Sequence, residues 1–227
     1  MSNEWTYEVL TRAGPLDTET TAAVLTRLDA LEVSPLTDEE QRIHGFDVEG
    51  EDVLLASRAE LVDFLRRGGG VSLAWDSGRA RDLGLDCFFA VHPGDAASTR
   101  ISFSFPGSTF RDEDVRAVAT RVAEEMLFAV IECVRSPYAW VYRESDWEVL
   151  YPEVQRMGQP PRFGLGLVTF FQETLLSNEE RLALAKRGAS LMPRAGGFVV
   201  RLRTHAWDAT ELEVFEWNRW WAPSAFR

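Results

Sequence analysis

Glu125 and Glu132 lie two helical turns apart in one periodic segment, with Glu124 and Arg121 beside them. Carboxylates at that spacing are the chain's best material for general acid–base chemistry. The pair works only if it projects into a cleft, because on a solvated flank the same residues form an ordinary charge network. His44, His92 and His205 show no HxH or HExxH spacing and so no zinc signature. Cys87 and Cys133 have no CxxC arrangement and no neighbouring histidine, so they read as buried free thiols. No GxSxG nucleophile elbow is present. Gly68-Gly69-Gly70 lacks the Lys-Ser/Thr of a phosphate loop, and Gly164-Leu165-Gly166 lacks the third glycine and following helix of a dinucleotide fingerprint. A helix stop and a strand bulge account for them better. The residues therefore assign no catalytic group, metal or cofactor.

What remains is the chemistry of contact. Residues 138–151 hold Trp140 and Trp147 beside Asp146 and Glu148. The last 21 residues hold Trp207, Trp217, Trp220 and Trp221 among Glu211, Glu213 and Glu216. Tryptophan gives a large contact area at low entropy cost, and acids beside it select a basic partner. Either these segments form an interface or the tail packs back as a lid on its own core. They are the candidate partner-binding residues.

The element that must hold them in place is residues 110–135, the longest periodic stretch without Gly or Pro. Three acids open it, where carboxylates oppose the helix macrodipole, and Val118, Val122, Met126, Val130 and Cys133 fall on one stripe. Leu127, Ile131 and Val134 widen that stripe, so burial should broaden towards Arg135. Before it, residues 4–12 alternate as a half-buried strand, residues 17–31 have helical spacing, and Leu36 to Gly50 read as a short helix or surface loop. A short strand at 53–55 and a helix capped by Ser57 follow, then three strands at 71–75, 85–91 and 99–105 without helical crossovers. Beyond the long helix come a strand at 163–171, a helix from Ser177 to Gly188 and a strand at 198–203. Residues 211–217 alternate like a strand. The expected class is α+β, mainly antiparallel sheet on a long central helix. The expected organisation is one domain over 1–227, or two intimate lobes, 1–109 and 110–227, of pseudo-duplicated design.

With 45% hydrophobic and 26% charged residues the 227-residue chain has globular composition. A net charge of −12 argues against nucleic-acid binding and suits a basic partner, or serves solubility alone. No run approaches the roughly 18 apolar residues of a membrane span, and the polar start lacks a signal-peptide pattern, so a cytoplasmic location is expected.

Arg162-Phe163-Gly164-Leu165-Gly166-Leu167-Val168-Thr169-Phe170-Phe171, a short helix, and then Gly196-Gly197-Phe198-Val199-Val200-Arg201-Leu202 resemble the type VI immunity and immunity-protein-52-like families of bacterial polymorphic toxin systems. The likeness covers the last third of the chain. It implies a cytoplasmic, non-enzymatic α+β protein that binds a cognate toxin, and it transfers no catalytic residue. Two other classes stay open: a small-molecule enzyme or binding module using Arg121, Glu125 and Glu132 in a cleft, and a structural component that forms a homodimer through the tail.

Overall fold

The computed structural model describes residues 4–11, 15–75, 85–92, 99–110, 113–143, 164–204 and 208–221. Among these residues there are five α-helices and eleven strands, and the strand registers are antiparallel, which makes the architecture α+β. Internal contacts divide the chain into two units, Tyr7–Ser136 and, separately, Met1–Thr6 with Pro137–Arg227.

In the Tyr7–Ser136 unit the strand order is β1 (Trp5–Leu10), β7 (Arg100–Phe105), β6 (Asp86–His92), β5 (Gly70–Trp75), β3 (Ile43–Phe46) and β4 (Asp52–Leu55), with β2 (Val33–Pro35) also pairing β5. One sheet face carries Val71, Leu73, Phe89, Ile101 and Phe103, all buried. Tyr7 stacks on Phe103 at 5.1 Å and meets Phe105 edge-on at 5.6 Å, so aromatic pairs join β1 to β7. The opening strand is covered on both sides rather than half-buried, since Glu8 is buried too, 3.8 Å from the Arg100 guanidinium.

Helix α1 (Thr18–Asp29) begins where the Asp17 carboxylate accepts the Thr20 amide, and α2 (Arg58–Arg66) begins where Ser57 accepts the Glu60 amide. Phe64 of α2 lies over Gly45 and Gly69, where a Cβ would come within 2.8 and 2.3 Å of its ring. The long helix is α3 (Glu113–Val134), preceded by a 3₁₀ turn at Gly107–Phe110. Its burial is broadest from Ala119 to Ile131, and Cys133 and Val134 are only partly covered, so burial does not keep widening to the end. Arg135 adopts φ 49° and the Ser136 amide reaches back to the Ile131 carbonyl at 3.0 Å, which stops the helix one residue before Ser136-Pro137.

Residues 36–50, expected as a helix or loop, instead contain β3, which pairs with β4 and β5. Its signal is weak because only Ile43 and Phe46 are large and apolar. Tertiary pairing with Gly70 and Val71 supplies what local pattern does not.

In the Pro137–Arg227 unit the order is β8 (Tyr138–Arg143), β9 (Val168–Gln172), β11 (Gly197–Arg201) and β10 (Ser190–Arg194). The strand expected at 163–171 starts later, at Val168; Phe163 lies outside the described residues. Strand β10 has no counterpart in the sequence reading, which places no element between the helix ending at Gly188 and the strand at 198–203. The turn is Ala195-Gly196, with φ 52° and 75°, the two left-handed residues of a tight hairpin. In that register Pro193 occupies a position whose missing N–H faces away from β11, so it blunts the outer edge. Helix α4 (Asn178–Arg187) has a capping box between Ser177 and Glu180 and ends at Gly188, φ 103°, as its sequence predicts. The tail is helix α5 (Glu211–Trp221), not a strand. Alternation from Glu211 to Trp217 is misleading because Thr210 and Glu213 form a capping box that starts a helix there.

Candidate functional site

The built part of the Pro137–Arg227 unit is the seat of α5. Val214, Trp217, Asn218 and Trp221 fall on one side of the helix and are buried. Asn218 is fully enclosed; its amide nitrogen donates to the Leu165 carbonyl at 2.7 Å and to the Val214 carbonyl at 2.8 Å, and its oxygen accepts the Leu165 amide at 2.7 Å. The side chain thus pairs with Leu165 as a neighbouring strand would. The same segment is held from the other side: Tyr138 donates to the Gly164 carbonyl at 2.7 Å, and the Leu167 amide donates to the Val141 carbonyl at 2.8 Å. Gly166 is required there, because a Cβ would sit 2.3 Å from the Val141 carbonyl oxygen. The Gly164-Leu165-Gly166 motif is therefore a docking ledge for α5 and not a nucleotide loop.

The opposite side of α5 faces solvent. Leu212, Glu216 and Trp220 follow one another at i, i+4 and i+8, with Glu211 and Arg219 on the flank, and Leu212 is 65% and Trp220 36% exposed. Arg187, the last residue of α4, places its guanidinium over the Trp217 ring at 5.0 Å and over the Trp220 ring at 4.8 Å. The two rings meet edge-on at 5.7 Å. This sandwich fixes Trp220 in one orientation while leaving part of its face open. Arg181, near the start of α4, covers Phe198 in the same way at 4.3 Å.

Each expected contact residue can now be placed. Trp220, Glu211 and Glu216 lie on the exposed side of α5. Trp217 and Trp221 are buried beneath it, and Trp221 packs on Phe171 at 6.1 Å. Both halves of the tail reading thus coexist, the lid and the open surface. Glu213 is engaged structurally: it caps Thr210 and bonds Arg203, whose side chain holds the carboxyl below the usual glutamate range. Trp140 is buried within β8, tilted against Tyr142 at 4.9 Å. Asp146, Trp147, Glu148 and Trp207 lie outside the described residues.

The groups considered for catalysis are dispersed. Arg121, Glu125 and Glu132 are exposed on α3. A groove of about 450 Å³ does open at the end of α3, but it is lined by Leu16, Asp17, Cys133, Val134 and Arg135, not by those carboxylates. Burial pushes the Cys87 thiol far up, and it also raises Cys133, which is half-exposed beside Arg27 rather than buried. His92 Nε2 meets Ser102 Oγ at 2.8 Å across the β6–β7 pair, and burial, reinforced by Arg100, lowers its pKa. Among the described residues no three His, Cys, Asp or Glu side chains gather as a metal-holding group, and no helix is long and apolar enough to cross a membrane.

What sequence reasoning missed lies in the Tyr7–Ser136 unit. Leu36, Leu54 and Phe88 project from the sheet face opposite the buried one, and all three are exposed. Phe88 meets Phe46 edge-on at 5.7 Å. Their grouping depends on strand pairings far apart in sequence, and residues 43–46 and 52–55 show no clean alternation that could have signalled it.

No protein-family model matches the sequence, and comparison with curated proteins finds no match. Among solved structures, the chain is similar to the Pseudomonas aeruginosa T6SS protein PA0821, at TM-score 0.54 and 10% identity over 99% of this chain and 74% of that one. At that identity the likeness is one of fold.

Proposed function

We propose that this chain is a binding protein of the immunity class, which neutralises a cognate bacterial toxin by occupying a basic surface on it. The observation that carries the reading is the solvent side of α5, where Trp220, clamped by Arg187, stands among Leu212, Glu211 and Glu216. A rigid aromatic with an open face, beside an exposed leucine and with the acids Glu211 and Glu216 and the cation Arg219 around it, is the composition of a protein-binding hot spot. The net charge of −12 steers a basic partner towards it. The fold likeness to a protein whose name places it with the type VI secretion apparatus supports the same direction. Glu213 is left out of the contact set because its carboxylate is committed to Thr210 and Arg203.

The test is protection in cells. The toxin encoded beside this gene is expressed in a susceptible host with the wild-type chain, or with a variant carrying Glu211→Lys, Glu216→Lys and Trp220→Ala. Wild type is expected to restore growth and the variant to fail while accumulating to the same level. Equal protection by both, or none by wild type, would refute the reading.

A further inference from the structure

Eight large apolar side chains are exposed among the described residues, and four of them, Leu36, Val48, Leu54 and Phe88, lie in the Tyr7–Ser136 unit. Leu54 belongs to β4, which among the described residues has one strand neighbour, β3, and so leaves its other edge open there. The register says which backbone groups that edge presents. The Asp47 amide donates to the Glu51 carbonyl at 3.0 Å, which makes 47 and 51 a bonded pair. Bonded and non-bonded pairs then alternate, so Val53 and Leu55 turn their backbone groups to β3, while Asp52 and Leu54 turn theirs outward. The His44 amide agrees, since it donates away from β4 to the Leu36 carbonyl at 3.1 Å. The next outward amide, that of Ala56, is already taken by the Glu60 carboxylate at 2.9 Å. Nothing among the described residues meets the outward amides of Asp52 and Leu54.

We propose that this edge binds an extended segment of a partner protein, added as a further strand beside β4 and alternating Lys or Arg with apolar residues. The edge supplies the backbone ladder, and Leu54, exposed on β4 itself, supplies the apolar contact. Charge selects the occupant. Asp47, Glu49, Glu51 and Asp52 border the edge, and β4 itself contains no basic residue. A second copy of this chain would bring the same acids, and a net charge of −12, against their like. The contrast with β10 is informative: there Pro193 removes an outward donor, and β4 carries no such block. This edge belongs to a different unit from α5 and goes beyond the reading of that helix, so either can fail alone.

The probe is a synthetic peptide of alternating lysine and valine, with a glutamate–valine peptide as control, followed by amide hydrogen exchange on the full chain. The lysine peptide is expected to bind, the control not to, and the amides of Asp52 and Leu54 to slow about tenfold or more at saturation. Leu54→Pro removes an outward donor while sparing the bonds to β3, and it should weaken the lysine peptide about tenfold. Absence of binding, equal binding of both peptides, or binding without protection at these two amides overturns the proposal. Protection that appears without peptide and grows with protein concentration also overturns it, in favour of a second copy.

Discussion

Asn218 does for Leu165 what a strand neighbour would, with three hydrogen bonds inside a closed interior. Asn218→Leu strips partners from a buried amide and carbonyl, and each orphaned group costs about 1–3 kcal/mol. Urea unfolding should therefore show a loss of about 2–4 kcal/mol, whereas a surface change such as Glu216→Gln should lie within about 0.5 kcal/mol of wild type. Gly166→Ala tests the ledge from the other side. Its new methyl would need the Val141 carbonyl to move, and a loss of about 1–3 kcal/mol is expected in the same assay. His92 gives a pH signature. The fold favours its neutral ring, so the unfolded chain takes the proton first; the contribution is complete above the ordinary value of 6.5 and is lost as pH falls below it towards the lowered folded value. In His92→Gln, the fall in stability just below that value should be smaller than in wild type. These roles were not readable in the sequence. Asn218 stands between Trp217 and Arg219 with nothing to mark it as buried, and Gly166 resembles half of a nucleotide loop until Val141 is seen above it.

At the scale of elements, local chemistry was a good guide wherever the chain carries its own punctuation. Ser57 with Glu60, Ser177 with Glu180, and Gly188 mark helix ends that the structure keeps. The long helix was legible from its stripe, although the extent of its covering was not, since that depends on what packs beside its last turn. Helix α5 was misread because strand-like alternation and helical spacing coexist in Glu211–Trp221, and the Thr210–Glu213 box that decides between them is short. Strand β3 was missed because its pairing with β5 is tertiary, and β10 because its composition is polar and proline-bearing although its hairpin partner is local. The β10–β11 turn offers a direct check. Ala195 holds a left-handed conformation that asparagine tolerates better, so Ala195→Asn should raise stability by about 0.5–1 kcal/mol, seen as a higher urea midpoint at unchanged slope.

For the whole molecule, the proposed capture of a basic protein draws on the acidic balance and on the exposed side of α5. Long-range attraction of this kind acts mainly on association and is weakened by salt, because the screening length is only about 8 Å at physiological ionic strength. In the proposed complex, contacts at Trp220 would act instead on its lifetime, as buried aromatic anchors do. The proposed role of α5 as the contact surface for a toxin is tested by the dissociation constant of this chain with the toxin encoded beside its gene, for wild type and for Glu211→Lys/Glu216→Lys/Trp220→Ala at equal helix content. The expected result is a tight wild-type complex, weakened by the triple variant about a hundredfold or more. An affinity unchanged by the variant, or no complex with the wild-type chain, would contradict the claim.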